Sequence, residues 1–304
     1  MGLDKLISDL KRKLPSLEML PNEPMSRHTS FKIGGPVSVM AFPASAEELR
    51  ALLEELNKAG VKPFVFGNGT NLLVQDEPLN IFAIKTNQRL NEIRLTPDGG
   101  VFALSGALLS SLAVFAQKNG LAGLEFAHGI PGSLGGAVCM NAGAYGGEMS
   151  QVVERTEYLD DSLELKSVSG AEHDFSYRHS LFSDSEKIVV SAIIRLTPGD
   201  PAGIKEKMDE LATRRRGSQP LNIPSAGSVF KRPAGGYAAA LIDSAGLKGL
   251  RVGGAQVSEK HAGFIVNLGG ATCNDVLRLI DKVRERVFKE HGIRLEMEIK
   301  HITG

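Results

Sequence analysis

The sequence predicts an α+β protein in two parts, and three observations carry the prediction. Segments of helical period alternate with short apolar segments of strand period along the whole chain. Two glycine-rich stretches, Gly67-Asn-Gly-Thr-Asn71 and Gly129 to Gly147, sit in its first two-thirds. The run Pro198-Gly-Asp-Pro-Ala-Gly203 then breaks both helix and strand and marks a boundary. Residues 1–200 are therefore expected to form one region, with an opening helix and both glycine loops. Residues 201–304 are expected to form a smaller second one.

In order, Leu3, Leu6, Ile7, Leu10 and Leu14 recur at helical spacing, and Pro15 and Pro21 close that segment. A strand is expected over 37–42. Ser45 has the place of an N-cap with Glu48 three residues on, opening a helix that Gly60 ends. Residues 61–66 read as a buried strand running into Gly67. Strands follow at 86–93 and 101–105, joined by a Pro97-Asp-Gly-Gly100 turn, and then a helix over 108–118. Beyond the second glycine stretch, strands are expected at 157–165, 172–175 and 188–196, and a helix over 204–216. The remainder reads as a helix over 237–244, an extended piece at 253–258, a strand at 263–268 and an amphipathic helix over 274–290. A final strand spans 293–302, in which Ile293, Leu295, Met297 and Ile299 face one way and Arg294, Glu296, Glu298 and Lys300 the other.

Composition narrows the function. With 35 basic and 35 acidic residues the net charge is zero, so no overall field favours nucleic acid or an anionic membrane. No apolar run approaches the ~20 residues of a membrane helix, and the N-terminus reads as an amphipathic helix, not a signal peptide. Cys139 and Cys273 lie far apart and outside any C-x-x-C spacing. The seven histidines show no ligand spacing either, so a structural metal is not expected. The two thiols read as small core hydrophobes of a reducing cytoplasm.

The chemistry points to the glycines. Between Gly129 and Gly147, seven positions are glycine, which suits neither a stable helix nor a strand and suits a loop whose N–H groups converge on an anion. A surface linker is the competing use, but linkers are rich in Ser, Glu and Lys. This stretch carries Ile130, Leu134, Val138, Met140 and Tyr145. The first stretch ends a strand, where α/β proteins bind nucleotides. It matches neither a Walker A loop nor G-x-G-x-x-G.

Together these residues carry a resemblance. Gly67-Asn-Gly-Thr-Asn-Leu-Leu73 and Gly129-Ile-Pro-Gly-Ser-Leu-Gly-Gly-Ala137, with Asn141-Ala-Gly-Ala-Tyr-Gly146, resemble the UDP-N-acetylenolpyruvoylglucosamine reductase (MurB) family. So do Thr29-Ser-Phe-Lys-Ile-Gly-Gly35, Tyr177-Arg-His-Ser180, Ala226-Gly-Ser-Val-Phe-Lys-Arg-Pro233 and Leu295-Glu-Met-Glu298. The motifs run in family order from about Ser26 to Ile302. The resemblance implies an FAD-binding fold of the PCMH or vanillyl-alcohol-oxidase type followed by a smaller α+β substrate-binding domain. It implies a cytoplasmic flavoprotein oxidoreductase that uses NADPH to reduce UDP-N-acetylglucosamine enolpyruvate to UDP-N-acetylmuramate. That step leads to peptidoglycan, and so bears on the cell wall, cell shape and division. The chain resembles the shorter type II form, without the tyrosine-bearing insertion of type I enzymes, which leaves the hold on the uridine open.

The family's residues map onto this chain as follows. Gly67, Asn68, Gly69, Thr70 and Asn71 would meet the FAD pyrophosphate; Gly129, Gly132, Ser133, Gly135, Gly136 and Ala137 would approach it and the flavin ring from the second loop. The matched catalytic residues are Arg178 for the substrate carboxylate, Ser228 as proton donor and Glu298 as a hydrogen-bonding acid. Tyr177, Arg216 and Lys231 would contact the substrate, the basic ones at its phosphates. Without the family match, Arg178 reads as a solvated arginine, Ser228 as turn chemistry and Arg214-Arg-Arg216 as charge complementing a helix end. Spacing alone does not separate Glu296 from Glu298. The resemblance further implies a monomer or weak oligomer with no nucleic-acid partner. Two other readings stay open: an FAD-dependent hydroxy-acid or alcohol oxidoreductase, and a flavin- or nucleotide-binding module without catalysis.

Overall fold

Helix Leu3–Lys13 buries Leu6 and Leu10, and helix Ala46–Lys58 buries Leu49, Leu52, Leu53 and Leu56. Both follow from the 3.6-residue spacing of those leucines. The computed structural model in which they are seen describes residues 2–86, 89–234 and 236–304. It divides into two compact units, one of residues 1–20, 39–68 and 82–213, the other of residues 21–38, 69–81 and 214–304.

In the first unit, Ser45 caps its helix by accepting from Glu48 N at 3.1 Å. The Glu48 carboxylate reaches Ala44 N, one residue before the N-cap, at 2.6 Å. These helices share a core with Val39, Ala41, Phe82 and Ile84, and Phe64–Phe66 pairs in parallel with Ala83 to Lys85. The strand expected at 86–93 lies elsewhere: one strand, Leu79–Lys85, ends before it, and another, Ile93–Leu95, begins at its last residue. Asn87 and Gln88 lie outside the described residues.

A five-stranded antiparallel sheet follows, in the order Leu165–Ser169, Val153–Leu159, Ile188–Ile194, Val101–Leu104, Ile93–Leu95. Helices Leu109–Lys118 and Leu134–Cys139 supply its apolar cover. Two expectations fail here. The strand over 157–165 is instead the end of one strand and a tight turn, because Asp160 Oδ1 accepts from both Ser162 N and Glu164 N at 2.9 Å. The strand over 172–175 is a 3₁₀ turn, Gly170–His173, held by a reciprocal cap between Ser169 and Glu172.

That turn drives His173 fully into the core, between Thr156 Oγ1 at 2.9 Å and Gly170 O at 3.1 Å, stacked on Phe175. Burial lowers its pKa below the ordinary value, against a smaller opposing pull from Gly170 O. Between the two values the unfolded chain binds a proton that the folded one refuses. Stability is therefore complete above the ordinary histidine pKa of about 6.5 and falls as pH drops through it. Thermal unfolding followed by circular dichroism from pH 7.5 to 5.0 should show a falling midpoint. His173→Gln should flatten part of that slope; His261, whose pKa burial also lowers, contributes in the same direction.

The second unit is built on helix Cys273–His291, capped reciprocally by Thr272 and Asp275, with Val276, Leu279, Ile280, Val283 and Val287 turned inward. Against it lie helix Ala238–Ser244 and the strands Arg251–Val252, Ala255–Val257 and Ile265–Asn267. Cys273 is a buried free thiol in this core, its pKa pushed up to about 12 by burial. The last strand is shorter than its alternation suggested. Lys300–Ile302 pairs in parallel with Leu72–Val74. Upstream of it Leu295 and Ile299 are buried as expected, but the segment is tied to 229–231 by single bridges and backbone bonds without forming a continuous ladder. Among the described residues, no helix is long and apolar enough to cross a membrane.

Candidate active site

In the first unit the two glycine stretches meet. A Cβ on Gly67 would stand 2.0 Å from Ser133 Oγ, and Asn68 Nδ2 donates to Pro131 O at 2.5 Å. The second stretch is not all loop. Residues Leu134–Cys139 form a short helix despite Gly135 and Gly136, because Leu134, Ala137 and Val138 bury one face against strand Ile188–Ile194. Two of its N–H groups serve the fold: Leu134 N donates to Ala107 O and Gly135 N to Ser105 O, both at 2.8 Å. Gly132 and Gly136 differ, since a Cβ on either would meet no atom nearer than 3.8 Å. Ser105 Oγ and Ser133 Oγ are buried and without a hydrogen-bond partner among the described residues. Ser105 is a residue the sequence reading missed; its signal is its place at the end of strand Val101–Leu104, directly before Gly106.

The rest of the first stretch belongs to the second unit. Gly69 has φ +64°, and a Cβ on it would lie 2.2 Å from His28 O. Its carbonyl accepts from Ser30 N at 3.1 Å. Thr70 is half-buried, and Asn71 Nδ2 donates to Glu298 O at 3.1 Å while Asn71 O accepts from Lys300 N at 2.9 Å. Alanine at Gly69 combines a left-handed penalty of about 1–2 kcal/mol with a clash against rigid backbone. Gly69→Ala should lower the melting temperature and the flavin-to-protein ratio on purification. Gly60→Ala, at φ +68° with nothing within 4 Å, should carry the conformational penalty alone and keep its flavin.

Arg178 rides a two-residue turn in the first unit. Ser176 N donates to His179 O at 3.1 Å and His179 N to Ser176 O at 3.2 Å. The turn holds Arg178 at φ +57°, a conformation side chains seldom adopt. Its guanidinium lies 5.0 Å from the centroid of the exposed Tyr177 ring.

Ser228 and Glu298 are brought together inside the second unit. Glu298 N donates to Val229 O at 2.8 Å and Lys231 N to Glu296 O at 2.9 Å, while Val229 N donates to Gly263 O at 2.9 Å. Ser228 thus lies one residue from the partner of Glu298. The structure also separates the two carboxylates: Glu296 is exposed and 3.6 Å from Lys231 Nζ, whereas Glu298 is half-buried. Lys231 and Arg216 are exposed. A Cβ on Gly263 would stand 3.2 Å from Ser228 Oγ and 3.1 Å from His261 Cε1, so the His261 ring neighbours the serine. His261 Nδ1 accepts from Gly263 N at 3.2 Å, which assigns its proton to Nε2 in the neutral form that burial favours. A lone histidine in Lys260-His-Ala262 gave no sequence signal.

Within the first unit, the close approach of Gly67 to Ser133, the open space at Gly132 and Gly136, and two buried hydroxyls without partners among the described residues fit a dinucleotide phosphate. Fold and site define an FAD-binding α+β protein of PCMH type with a C-terminal α+β domain. Residues 36–168 match the family model of an FAD binding domain. Residues 219–302 match that of the UDP-N-acetylenolpyruvoylglucosamine reductase C-terminal domain. The UDP-N-acetylenolpyruvoylglucosamine reductase of Caldanaerobacter subterraneus is 48% identical over 295 residues, 97% of each chain. That of Levilactobacillus brevis is 44% identical over 298 residues, 98% of this chain and 97% of the other. The chain belongs to the UDP-N-acetylenolpyruvoylglucosamine reductase family. A crystal structure of the reductase (MurB) from Thermus caldophilus superposes with a TM-score of 0.79 at 35% identity, over 94% of this chain and 99% of that one. An alkyldihydroxyacetonephosphate synthase, 17% identical with a TM-score of 0.50, covers 65% of this chain and 41% of its own, and shares the fold alone.

Proposed function

We propose that this chain reduces the enolpyruvyl ether of UDP-N-acetylglucosamine enolpyruvate to UDP-N-acetylmuramate in peptidoglycan precursor synthesis. The observation that supports the reading most directly is the backbone bond from Glu298 to Val229, which brings the half-buried Glu298 within one residue of Ser228. Near full-length identity to named reductases supports it.

FAD would be held by Gly67, Asn68, Gly69, Thr70 and Asn71 and by Gly129, Gly132, Ser133, Gly135, Gly136 and Ala137, with Ser105 added; when bound it supplies the hydride chemistry, drawing on NADPH. Arg178 offers its planar fork to the substrate carboxylate and holds the charge that develops there as the β-carbon is reduced. Ser228 delivers the proton to the α-carbon, completing the saturated lactyl ether. Its hydroxyl is a weak acid and must be positioned to give the proton up, and Glu298 serves the site as a hydrogen-bonding acid. Tyr177 contacts the substrate, and Arg216 and Lys231 meet its diphosphate. An exposed ion pair such as Lys231–Glu296 is worth little and leaves the lysine able to turn to a phosphate.

In this reading residues 1–200 bind FAD and residues 201–304 bind the nucleotide-sugar. The protein acts in the cytoplasm as a monomer or weak oligomer, without nucleic acid. Purified protein should carry a flavin spectrum that one equivalent of NADPH bleaches, and should turn NADPH over continuously only when the enolpyruvyl sugar is added. A flavin reduced by a hydroxy acid or alcohol without NADPH would overturn the assignment, and so would bound flavin with no turnover.

A further inference from the structure

The turn that carries Arg178 is tied on one side to Cys139, which ends the glycine helix, and on the other to Asn141 just beyond it. Asn141 is 1% exposed, and its Nδ2 donates to Ser176 O, the residue that closes the turn, at 3.0 Å. Its Oδ1 accepts from Ser150 N at 2.9 Å, so both ends of the amide are used. On the other foot, Ser180 Oγ and Ser183 Oγ both donate to Cys139 O, at 2.6 and 2.7 Å. Asn141 itself has φ +42°. Among residues with a side chain, asparagine and aspartate tolerate that conformation best, and only asparagine also presents a donor to Ser176 and an acceptor to Ser150. The mechanism gives this buried amide no task at the reacting atoms.

We propose that Cys139 to Asn141 is the positioning element of Arg178, with Asn141 its principal residue: it fixes the height and direction of the guanidinium for a substrate carboxylate. This rests on the role given to Arg178 above. Two foot-points matter because the turn between them is strained at Arg178 and would relax if either were released. Cys139 ends the helix Leu134–Cys139 that begins at the second glycine loop. The grips on cofactor and carboxylate are thus consecutive parts of one rigid stretch.

Asn141→Asp tests this with least disturbance. It suits the same φ and keeps the bond to Ser150 N, but sets a carboxylate oxygen against Ser176 O. The variant should keep its flavin content, visible spectrum and rate of flavin reduction by NADPH. Its kcat/KM for the enolpyruvyl sugar should fall about tenfold, mainly through KM. Placed on Arg178→Lys, it should add little, because an arginine already lost has no position to lose. Full additivity on Arg178→Lys, or an unchanged KM, would overturn the proposal. Ser183→Ala removes one of the two hydroxyls on the other foot and should show the same non-additive pattern more weakly; it carries the test should Asn141→Asp fail to fold. If Arg178→Lys itself leaves turnover unchanged, the role of Arg178 is wrong and the positioning proposal falls with it. If Arg178→Lys is impaired and Asn141→Asp is additive, the positioning proposal alone falls.

Discussion

Replacing Ser228 with alanine should leave reduction of bound flavin by NADPH at its normal rate and slow reduction of the enolpyruvyl sugar about 10²–10⁴-fold, the range of a positioned general acid. The split follows from the chemistry. Loading the flavin from NADPH asks nothing of a serine proton, whereas saturating the double bond needs one at the α-carbon. The backbone around Ser228 is held independently of its side chain, since Val229 N donates to Gly263 O and Val229 O accepts from Glu298 N. Removing one hydroxyl therefore removes a proton without moving the scaffold. Stopped-flow bleaching of the flavin by NADPH, followed by mixing with substrate, resolves the two halves. A mutant that is slow in both halves would show that Ser228 supports the fold and not the proton transfer. A mutant that is normal in both would move the proton elsewhere, with the neighbouring His261 the first place to look.

Several parts of this molecule could be read directly from residues. Helix Cys273–His291 was legible because its apolar face repeats every 3.6 residues, and helix Ala46–Lys58 because Ser45 caps it. Local competition hid other elements. Asp160 folds a tight turn out of what alternation alone extends as a strand, and the Ser169–Glu172 cap turns 170–173 inward on itself. The adjacency of Ser228 and Glu298 depends on pairing between segments about seventy positions apart, and such pairing leaves no local period to detect. Motif resemblance named both residues, but only the fold shows why Glu298 and not Glu296 is the half-buried partner. Ser105 and His261 were silent, and Asn141 entered only as part of a motif with no role of its own, for a similar reason: a buried polar side chain acquires meaning from what it faces.

Arg178→Ala should lower kcat/KM for the enolpyruvyl sugar by about a hundredfold or more, and Arg178→Lys should fall between it and the wild type. A hydrogen bond to a charged group is worth about 1.5–3 kcal/mol, and the guanidinium fork makes two of them in parallel to one carboxylate. Lysine keeps the charge but offers a single point in place of the fork, so it retains part of the attraction and loses the orientation. The backbone makes this comparison unusually direct. Arg178 sits at φ +57°, where arginine, lysine and alanine pay much the same penalty. Arginine, lysine and alanine therefore differ in their chemistry toward the carboxylate and hardly in the strain of the turn. Glycine is the exception, because it relieves that strain, and Arg178→Gly should be both the most stable variant by melting temperature and among the least active. Steady-state kinetics across the four proteins, set beside their melting temperatures, distinguishes a carboxylate clamp from a structural turn. If activity follows stability across the series, Arg178 holds the fold and not the substrate.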